Sequence, residues 1–592
     1  MIEATIQGHL SEAFKSLFDF EIDSNVLALQ PTRKEFDGTY TFVVFPYLRH
    51  TKKNPEESGK AIGEFVTNAS EVVKGFNVVK GFLNFEIEES AWSEVLNQMI
   101  AVQKYGQHES NEKKVMVEFS SPNTNKPLHL GHLRTIFLGD AMSRIYAKAG
   151  YEVNKTNLVN DRGIHICKSM LTYQKFGHGD TPESTGIKGD KLIGNYYVKF
   201  DQEYKKEIAV LMDKGMEEAE AKKQAPLILE AQEMLQKWES GDETTLQLWE
   251  QMNAWVYAGF DFTYTTIGVT FDKVYYESET YLLGKDLVDE GLEKAVFYKK
   301  ENGSVWVDLS EFGLDEKLVQ RADGTSVYIT QDMGTCELKH KTFPFDKSVY
   351  VVGNEQDYHF QVLFLIMKKL GRSYADGLHH LSYGMVDLPT GKMKSREGTV
   401  VDADDLMQEM FETAERHTSE LGKNEGLKEE EARELYRILG LGALKYFLLK
   451  VDPKKRILFD PLKSIEFQGD TGPFIQYTHA RISAILRRAK TLDIAPSVED
   501  EIPLHQRESD LIYRLSQFPK IITNAAEDYS PAMLAQYIFD VAKDYNGFYQ
   551  EVSIFNEEAQ GLVKMRVALS ALTAHVIKSG MDMLSIRVPE RM

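Results

Sequence analysis

Cysteine is nearly missing from this chain. Only Cys167 and Cys336 occur in 592 residues, which excludes a disulfide framework and points to a reducing cytoplasm. The opening Met1-Ile2-Glu3-Ala4-Thr5 has neither the basic nor the apolar region of a signal peptide. No apolar run approaches the ~20 residues needed to span a bilayer, so no membrane partner is expected. There is no repeat of solenoid period and no low-complexity tail. Positive charge is in deficit as well. A formal net charge of −21 argues against binding nucleic acid over the whole surface. It leaves room for a local basic track at Lys454-Lys455-Arg456 or Arg487-Arg488-Ala489-Lys490. Read alone, each cluster is equally a solvated helix face.

The length predicts several domains rather than one core. Residues 1–108 read as an α+β module, with strands at Tyr40–Phe45 and Gly81–Ile87. The polar stretch His108–Lys114 is a boundary. Residues 109–402 read as a Rossmann-like parallel-sheet domain. It opens with the strand Val115–Phe119, the helix Leu133–Lys148 and the strand Glu152–Val159, a βαβ unit. A charged, mainly helical insertion occupies about 177–300, and strands return at Ser304–Leu309, Ser326–Ile329, Ser348–Val352 and Tyr383–Leu388. Residues 403–592 are almost wholly helical. The run Leu435–Phe447 has the apolar density of a bundle helix. The fold class is therefore multidomain α/β with an all-α carboxyl-terminal bundle.

Ligands in parallel sheets bind beyond the carboxyl ends of the strands. The stretch Ser121-Pro122-Asn123-Thr124-Asn125-Lys126-Pro127-Leu128-His129-Leu130-Gly131-His132 falls there. Backbone N–H groups and the helix dipole hold a phosphate at such a place. His129 and His132 share a face and can both donate to one anion, and Gly131 lets a ligand approach the backbone. Two histidines near a helix start are equally caps. Zinc would need a third or fourth ligand, and none stands near in sequence, so no metal site is expected. Downstream, Gly391-Lys392-Met393-Lys394-Ser395-Arg396-Glu397-Gly398-Thr399 is a basic loop able to close over a polyphosphate. An ordinary basic hairpin loop would look the same.

In this order, the histidine turn resembles the HIGH motif of class I aminoacyl-tRNA synthetases, and the basic loop resembles their KMSKS loop. Lys394 stands where the first serine belongs, and Ser395 where the second lysine belongs. Longer blocks resemble the arginyl-tRNA synthetases in particular: Val117–Asn123, Lys126–Arg134, Tyr328–Asp332, Gly353–His359, Gly469–Arg481 and the terminal Pro589–Met592. The resemblance covers nearly the whole chain. It implies arginine–tRNA ligase activity: ATP, with Mg²⁺, and L-arginine give arginyl-adenylate, and the arginyl group then passes to tRNA(Arg). It implies catalytic and ATP-binding roles for Lys126, His129, Gly131, His132, Lys392, Met393, Lys394 and Ser395. It assigns the arginine side chain to Glu118, Tyr328 and Asp332, and the amino-acid backbone groups to Ser120, Asn123, His132 and Gln356. Glu277 resembles a further family carboxylate. Asp161 and Gly163 match a family Gly-Asp-Trp-Gly turn in which Asn160 and Arg162 replace the first glycine and the tryptophan. The amino-terminal module would meet the outer corner of the tRNA through Phe82 and Asn84. The helical domain, 403–592, would contact the tRNA stem and read the anticodon, with Gln476, Tyr477 and Arg481 as candidates. A planar cation with five donors calls for carboxylates, in keeping with an acidic pocket. A monomer is expected.

Overall fold

The fold was obtained as a computed structural model. It describes the chain apart from residues 1, 34, 388–400, 423–425, 500–501 and 557. The amino-terminal module is an antiparallel sheet of β1 (Leu29–Pro31), β2 (Tyr40–Val43), β3 (Val73–Val79) and β4 (Phe82–Ile87), in the order β1-β2-β4-β3. The helix Pro55–Ala69 lies close on β3, because a Cβ at Gly63 would sit 2.4 Å from the Phe76 ring. β2 is shorter than its apolar run suggests. Pro46 opens a 3₁₀ turn at Phe45–Tyr47 and removes the next ladder donor.

The central sheet contains β5 (Lys114–Glu118), β6 (Glu152–Val159) and β7 (Lys273–Tyr276). An antiparallel trio follows β7 in the chain: β8 (Phe297–Lys299), β9 (Val305–Val307) and β10 (Lys317–Gln320). β11 (Lys347–Gly353) and β12 (Leu378–Tyr383) complete the central sheet, whose order is β12-β11-β5-β6-β7 with every pair parallel. The order reverses between β5 and β11. That switch point opens a crevice at the carboxyl ends of the strands, where ligands sit in doubly wound folds. The helix Leu130–Lys148 crosses from β5 to β6, and Gly139 lets it lie against Phe119.

Six helices lie between Ile164 and Ile267, five of them within the stretch 177–300 read as an insertion. Two expected strands are not seen as read. Val327-Tyr328-Ile329-Thr330 has strand-forming residues, but the helix Tyr328–Thr342 begins there. The Thr330 hydroxyl reaches back to the Val327 N–H and closes the first turn. The run from Tyr383 breaks at Gly384, whose N–H donates to the Pro453 carbonyl at 2.9 Å. The short strand Val386–Asp387 then pairs with Ile457–Leu458, away from the main sheet. Helices from Ala403 to Met583 build the carboxyl-terminal bundle. The amino-terminal module docks on it: the Tyr40 and Tyr513 rings meet edge to face at 5.3 Å, and the Tyr105 hydroxyl donates to the Leu515 carbonyl at 2.9 Å. Among the described residues no helix is long and apolar enough to cross a membrane.

Candidate active site

β5 ends in a strained turn. Ser120 and Ser121 both have positive φ, +76° and +45°, a conformation that costs on the order of 1–3 kcal/mol per residue and collects at functional sites. Cross-links hold it. The Asn157 side chain accepts the Ser121 N–H at 3.0 Å, and the Ser120 hydroxyl meets the Tyr264 hydroxyl at 2.7 Å. The Ser120 side chain is thus occupied by the inserted segment. Asn123 continues into a parallel bridge with Asn160.

The helix starts at Leu130, earlier than the apolar pattern suggests, so His129 is its N-cap and His132 its third residue. His129 Nδ1 accepts the Gly131 N–H at 3.1 Å, and His132 Nδ1 accepts the His129 N–H at 3.1 Å. The Leu130 N–H is also taken, by the Val401 carbonyl at 3.3 Å. The backbone donors expected to cradle a phosphate are therefore closed. The histidines carry the donors instead. An imidazole whose Nδ1 accepts an N–H holds its proton on Nε2, so each ring retains one Nε2–H that the helix does not use. Burial, with the Lys126 charge beside them, pushes His129 down to about 3 and His132 well below its ordinary value. Both rings are neutral at physiological pH. The two lie 3.9 Å apart, centroid to centroid. A Cβ at Gly131 would meet the His129 ring at 2.9 Å, so the glycine also makes room for that ring.

The strap after the basic loop returns to this turn. His129 and Asp402 form an antiparallel bridge, and the Ala403 N–H donates to the Leu128 carbonyl at 2.9 Å. Lys188 of the insertion is ion-paired with Asp404, and Lys191 with Asp405 at 2.8 Å. Lys392, Met393, Lys394 and Ser395 lie outside the described residues.

Acidic side chains gather at the carboxyl ends of neighbouring strands. Glu277 follows β7, Asp161 follows β6 and Gln356 follows β11, while Glu118 ends β5. Tyr328, 80% exposed, and Asp332 share one face of the helix Tyr328–Thr342. Asp332 Oδ2 lies 2.6 Å from His359 Nε2. Burial, then the charges of Asp332 and Asp161, push Glu277 up to about 7. That value marks a carboxyl group that is first of all buried and then set near like charge, with Arg162 pulling the other way. Arg162 is turned aside, over the Tyr281 ring at 3.8 Å and onto Glu239 at 2.8 Å. The Asp161 carboxylate fixes the turn that carries Glu277, accepting from the Ser278 N–H at 2.9 Å, the Ser278 hydroxyl at 2.7 Å and the Tyr257 hydroxyl at 3.0 Å. Glu118 stands apart. It is buried and ion-paired with Lys339, itself buried on the helix Tyr328–Thr342. Nothing in the sequence spacing marks Lys339 as its partner. His359, by contrast, lies inside the block Gly353–His359.

The RNA candidates divide. Asn84 is buried on a central strand, accepting from Thr41 at 2.6 Å and donating to Asn77 at 2.8 Å. With Phe82 it lines a small concavity that also includes Gln30, Arg33, Phe36 and Thr41. Gln476 is buried and donates to the Ile438 and Arg587 carbonyls at 3.0 and 2.8 Å, which joins helices of the bundle. Arg481 lies between the Tyr477 and Tyr549 rings, 4.8 and 5.2 Å from their centroids, and donates to Asn546. Tyr549 and Asn546 come from a separate helix, and no sequence motif announces them.

The parallel sheet, its reversal and the paired histidines at the helix start define a class I synthetase catalytic domain. Residues 94–460 match the family model of the class I tRNA synthetase (R) catalytic domain, and 475–592 match the DALR anticodon binding domain. The chain belongs to the class I arginyl-tRNA synthetases. It is 58% identical to the arginine–tRNA ligase of Amoebophilus asiaticus and 54% identical to that of Bacteroides thetaiotaomicron, each over the full length of both chains. Its fold matches that of the Thermus thermophilus arginyl-tRNA synthetase with a TM-score of 0.80 at 24% identity, covering all of both chains.

Proposed function

We propose that the chain activates L-arginine with ATP and esterifies it to tRNA(Arg). An arginine carboxylate oxygen attacks the α-phosphorus, and the bond to the β-phosphate breaks, releasing pyrophosphate. The 3′-terminal ribose hydroxyl of the tRNA then attacks the arginyl carbonyl, and AMP leaves. The observation that carries this reading is that two neutral Nε2–H donors after β5 and the acidic group of Asp161, Glu277 and Asp332 stand at the carboxyl end of one parallel sheet. Fixed donors spread the charge that develops on phosphorus without any reorganisation.

His129 and His132 donate to the phosphates. Lys126, whose charge acts on both imidazoles, steadies the leaving pyrophosphate with Lys392 and Lys394, while Met393 and Ser395 complete the loop. Mg²⁺ enters with ATP as part of the substrate. Asp332 and Glu277 hold the guanidinium, and Tyr328 covers it. Glu118, already balanced by Lys339, forms the floor. Asn123, His132 and Gln356 take the α-amino and carboxylate groups beside Ser120. Residues 1–108 meet the tRNA corner around Phe82 and Asn84. Residues 403–592 read the anticodon, and the Tyr477–Arg481 face offers stacking surfaces of the kind that hold unpaired bases. Gln476 frames that face. The enzyme works as a cytoplasmic monomer, with tRNA bound before activation. Charging of a tRNA(Arg) transcript with labelled arginine tests the reading; acceptance of a different amino acid in place of arginine overturns it.

A further inference from the structure

Lys188 stands where three segments meet. It caps the amino terminus of the helix Gly189–Asp213. Its ammonium donates to the Thr263 hydroxyl at 2.6 Å, lies 3.1 Å from the Asp190 carboxylate and is ion-paired with Asp404. Asp190 and Thr263 are wholly buried. Thr263 belongs to the helix Glu243–Ile267, whose Gly259 presses on Asp190: a Cβ there would lie 2.5 Å from Asp190 Oδ1. Two helices of the insertion therefore fix the ammonium from one side. The strap lies on the other. Asp404 also accepts from the Thr263 hydroxyl at 2.9 Å, and its N–H donates to Asp402 at 2.8 Å in the cap of the helix Ala403–Glu420. Just before Asp404 the strap is joined main chain to main chain with the histidine turn. The Leu130 N–H donates to the Val401 carbonyl at 3.3 Å and the Ala403 N–H to the Leu128 carbonyl at 2.9 Å, on either side of the His129–Asp402 bridge. A displacement of Asp404 is thus carried to Leu128–Leu130, the backbone on which the His129 cap is built. The side chains of Lys188 and Asp404 are 20% and 24% exposed, against 43% and 66% for Lys191 and Asp405. Water and salt screen the inner pair far less, so it is the one able to hold the strap.

We propose that Lys188 is a positioning residue for the histidine turn: through Asp404 it fixes the strap against Leu128–Leu130, and so ties the placement of His129 to the insertion. The proposal rests on the phosphate role given to His129 above. Lys188 acts through the strap and not on the substrate. A fixed donor works only at its distance, and a misplacement of about 1 Å can cost about 10²-fold in rate.

The test compares the full-length wild type with Lys188→Met, Lys188→Arg, Asp404→Asn and the double variant Lys188→Met/Asp404→Asn. Asp404→Asn breaks the link from the strap side while Lys188 keeps Asp190, so a folding defect in Lys188→Met does not spoil the test. The first readout is hydrogen exchange, followed by mass spectrometry, in peptides spanning 128–133 and 401–405. Breaking the link should remove protection from the Leu130 and Ala403 amides. The second is arginine-dependent ATP–pyrophosphate exchange at saturating tRNA(Arg). There kcat/KM for ATP should fall about 10- to 100-fold, with the KM for arginine held. The double variant should lose no more than the more impaired single variant, because both substitutions remove one interaction, and Lys188→Arg should recover most of the loss. Unchanged protection of those amides with a lower midpoint of thermal unfolding would make Lys188 a tie within the insertion only and overturn the proposal. Losses that add in the double variant would also overturn it. Absence of arginine-dependent exchange by the wild type would refute the parent reading, while the amide readout still decides the role of Lys188.

Discussion

His132 Nδ1 accepts the backbone N–H of His129 at 3.1 Å. With the reciprocal bond from the Gly131 N–H to His129 Nδ1, this makes both histidines caps of the helix Leu130–Lys148. Capping and phosphate binding are not alternatives here. Occupying Nδ1 at the cap fixes the proton on Nε2, which leaves that N–H for the proposed phosphate contact.

The two roles separate by substitution. His129→Asn keeps a good N-cap acceptor but loses Nε2–H. It should hold the stability of the protein within about 0.5 kcal/mol while arginine-dependent ATP–pyrophosphate exchange falls by about 10²–10³-fold, as for loss of one fixed donor. His132→Ala should lower exchange comparably and leave the Kd for tRNA(Arg) unchanged. Equal losses of exchange and tRNA binding would instead indicate a folding defect.

Glu277 gives a pH signature. Its carboxyl is pushed up to about 7 in the free protein, and only the ionised form attracts a guanidinium. Arginine binding should weaken as pH falls below about 7 and level off above it, with uptake of arginine releasing a proton near neutrality. Glu277→Gln should bind arginine weakly and flatten that limb of the kcat/KM profile for arginine. A limb that survives the substitution would assign the titration to another group.

Asp332→Asn removes the charge proposed to face the substrate cation. A charge-assisted hydrogen bond is worth about 1.5–3 kcal/mol, so the KM for arginine should rise about 10- to 100-fold with the KM for ATP little changed. If the arginine KM stays the same, Asp332 is not in the pocket.

Lys445 ties three parts of the chain together. Its buried ammonium donates to the Ile267 carbonyl at 2.6 Å, the Ser585 carbonyl at 2.6 Å and the Ser585 hydroxyl at 3.0 Å. Lys445→Met leaves buried acceptors unpaired and should cost about 1–3 kcal/mol, read as a lower midpoint of thermal unfolding. An unchanged midpoint would show that water replaces the ammonium at no cost.

The sheet domain was largely legible in sequence because the buried strand Val115–Phe119 leaves a nearly apolar run and the strand–helix–strand order around it marks a βαβ unit, although Glu152–Val159 is mostly polar and only partly buried. The histidine turn was legible because helical spacing sets its shared face, whereas Tyr328 and Asp332 came from the family resemblance and share a face only because a helix replaces the strand expected at Tyr328. The chemistry of the turn was not. Closure of the N–H groups of His129, Leu130 and Gly131 depends on ring orientation and on Val401, which is remote in sequence. For the same reason the Glu118–Lys339 pair, the burial of Gln476 and the Arg481–Tyr549 stacking emerge only from tertiary packing. The strand expected at Ser326–Ile329 fails because a capping threonine outweighs the β-forming residues around it.

The most direct test of the account is ATP–pyrophosphate exchange by the full chain with each amino acid in turn, with and without tRNA(Arg). The account predicts exchange driven by arginine and dependent on tRNA(Arg), and its collapse in His132→Ala. Exchange driven by another amino acid, or arginine-dependent exchange that persists in His132→Ala, would contradict it.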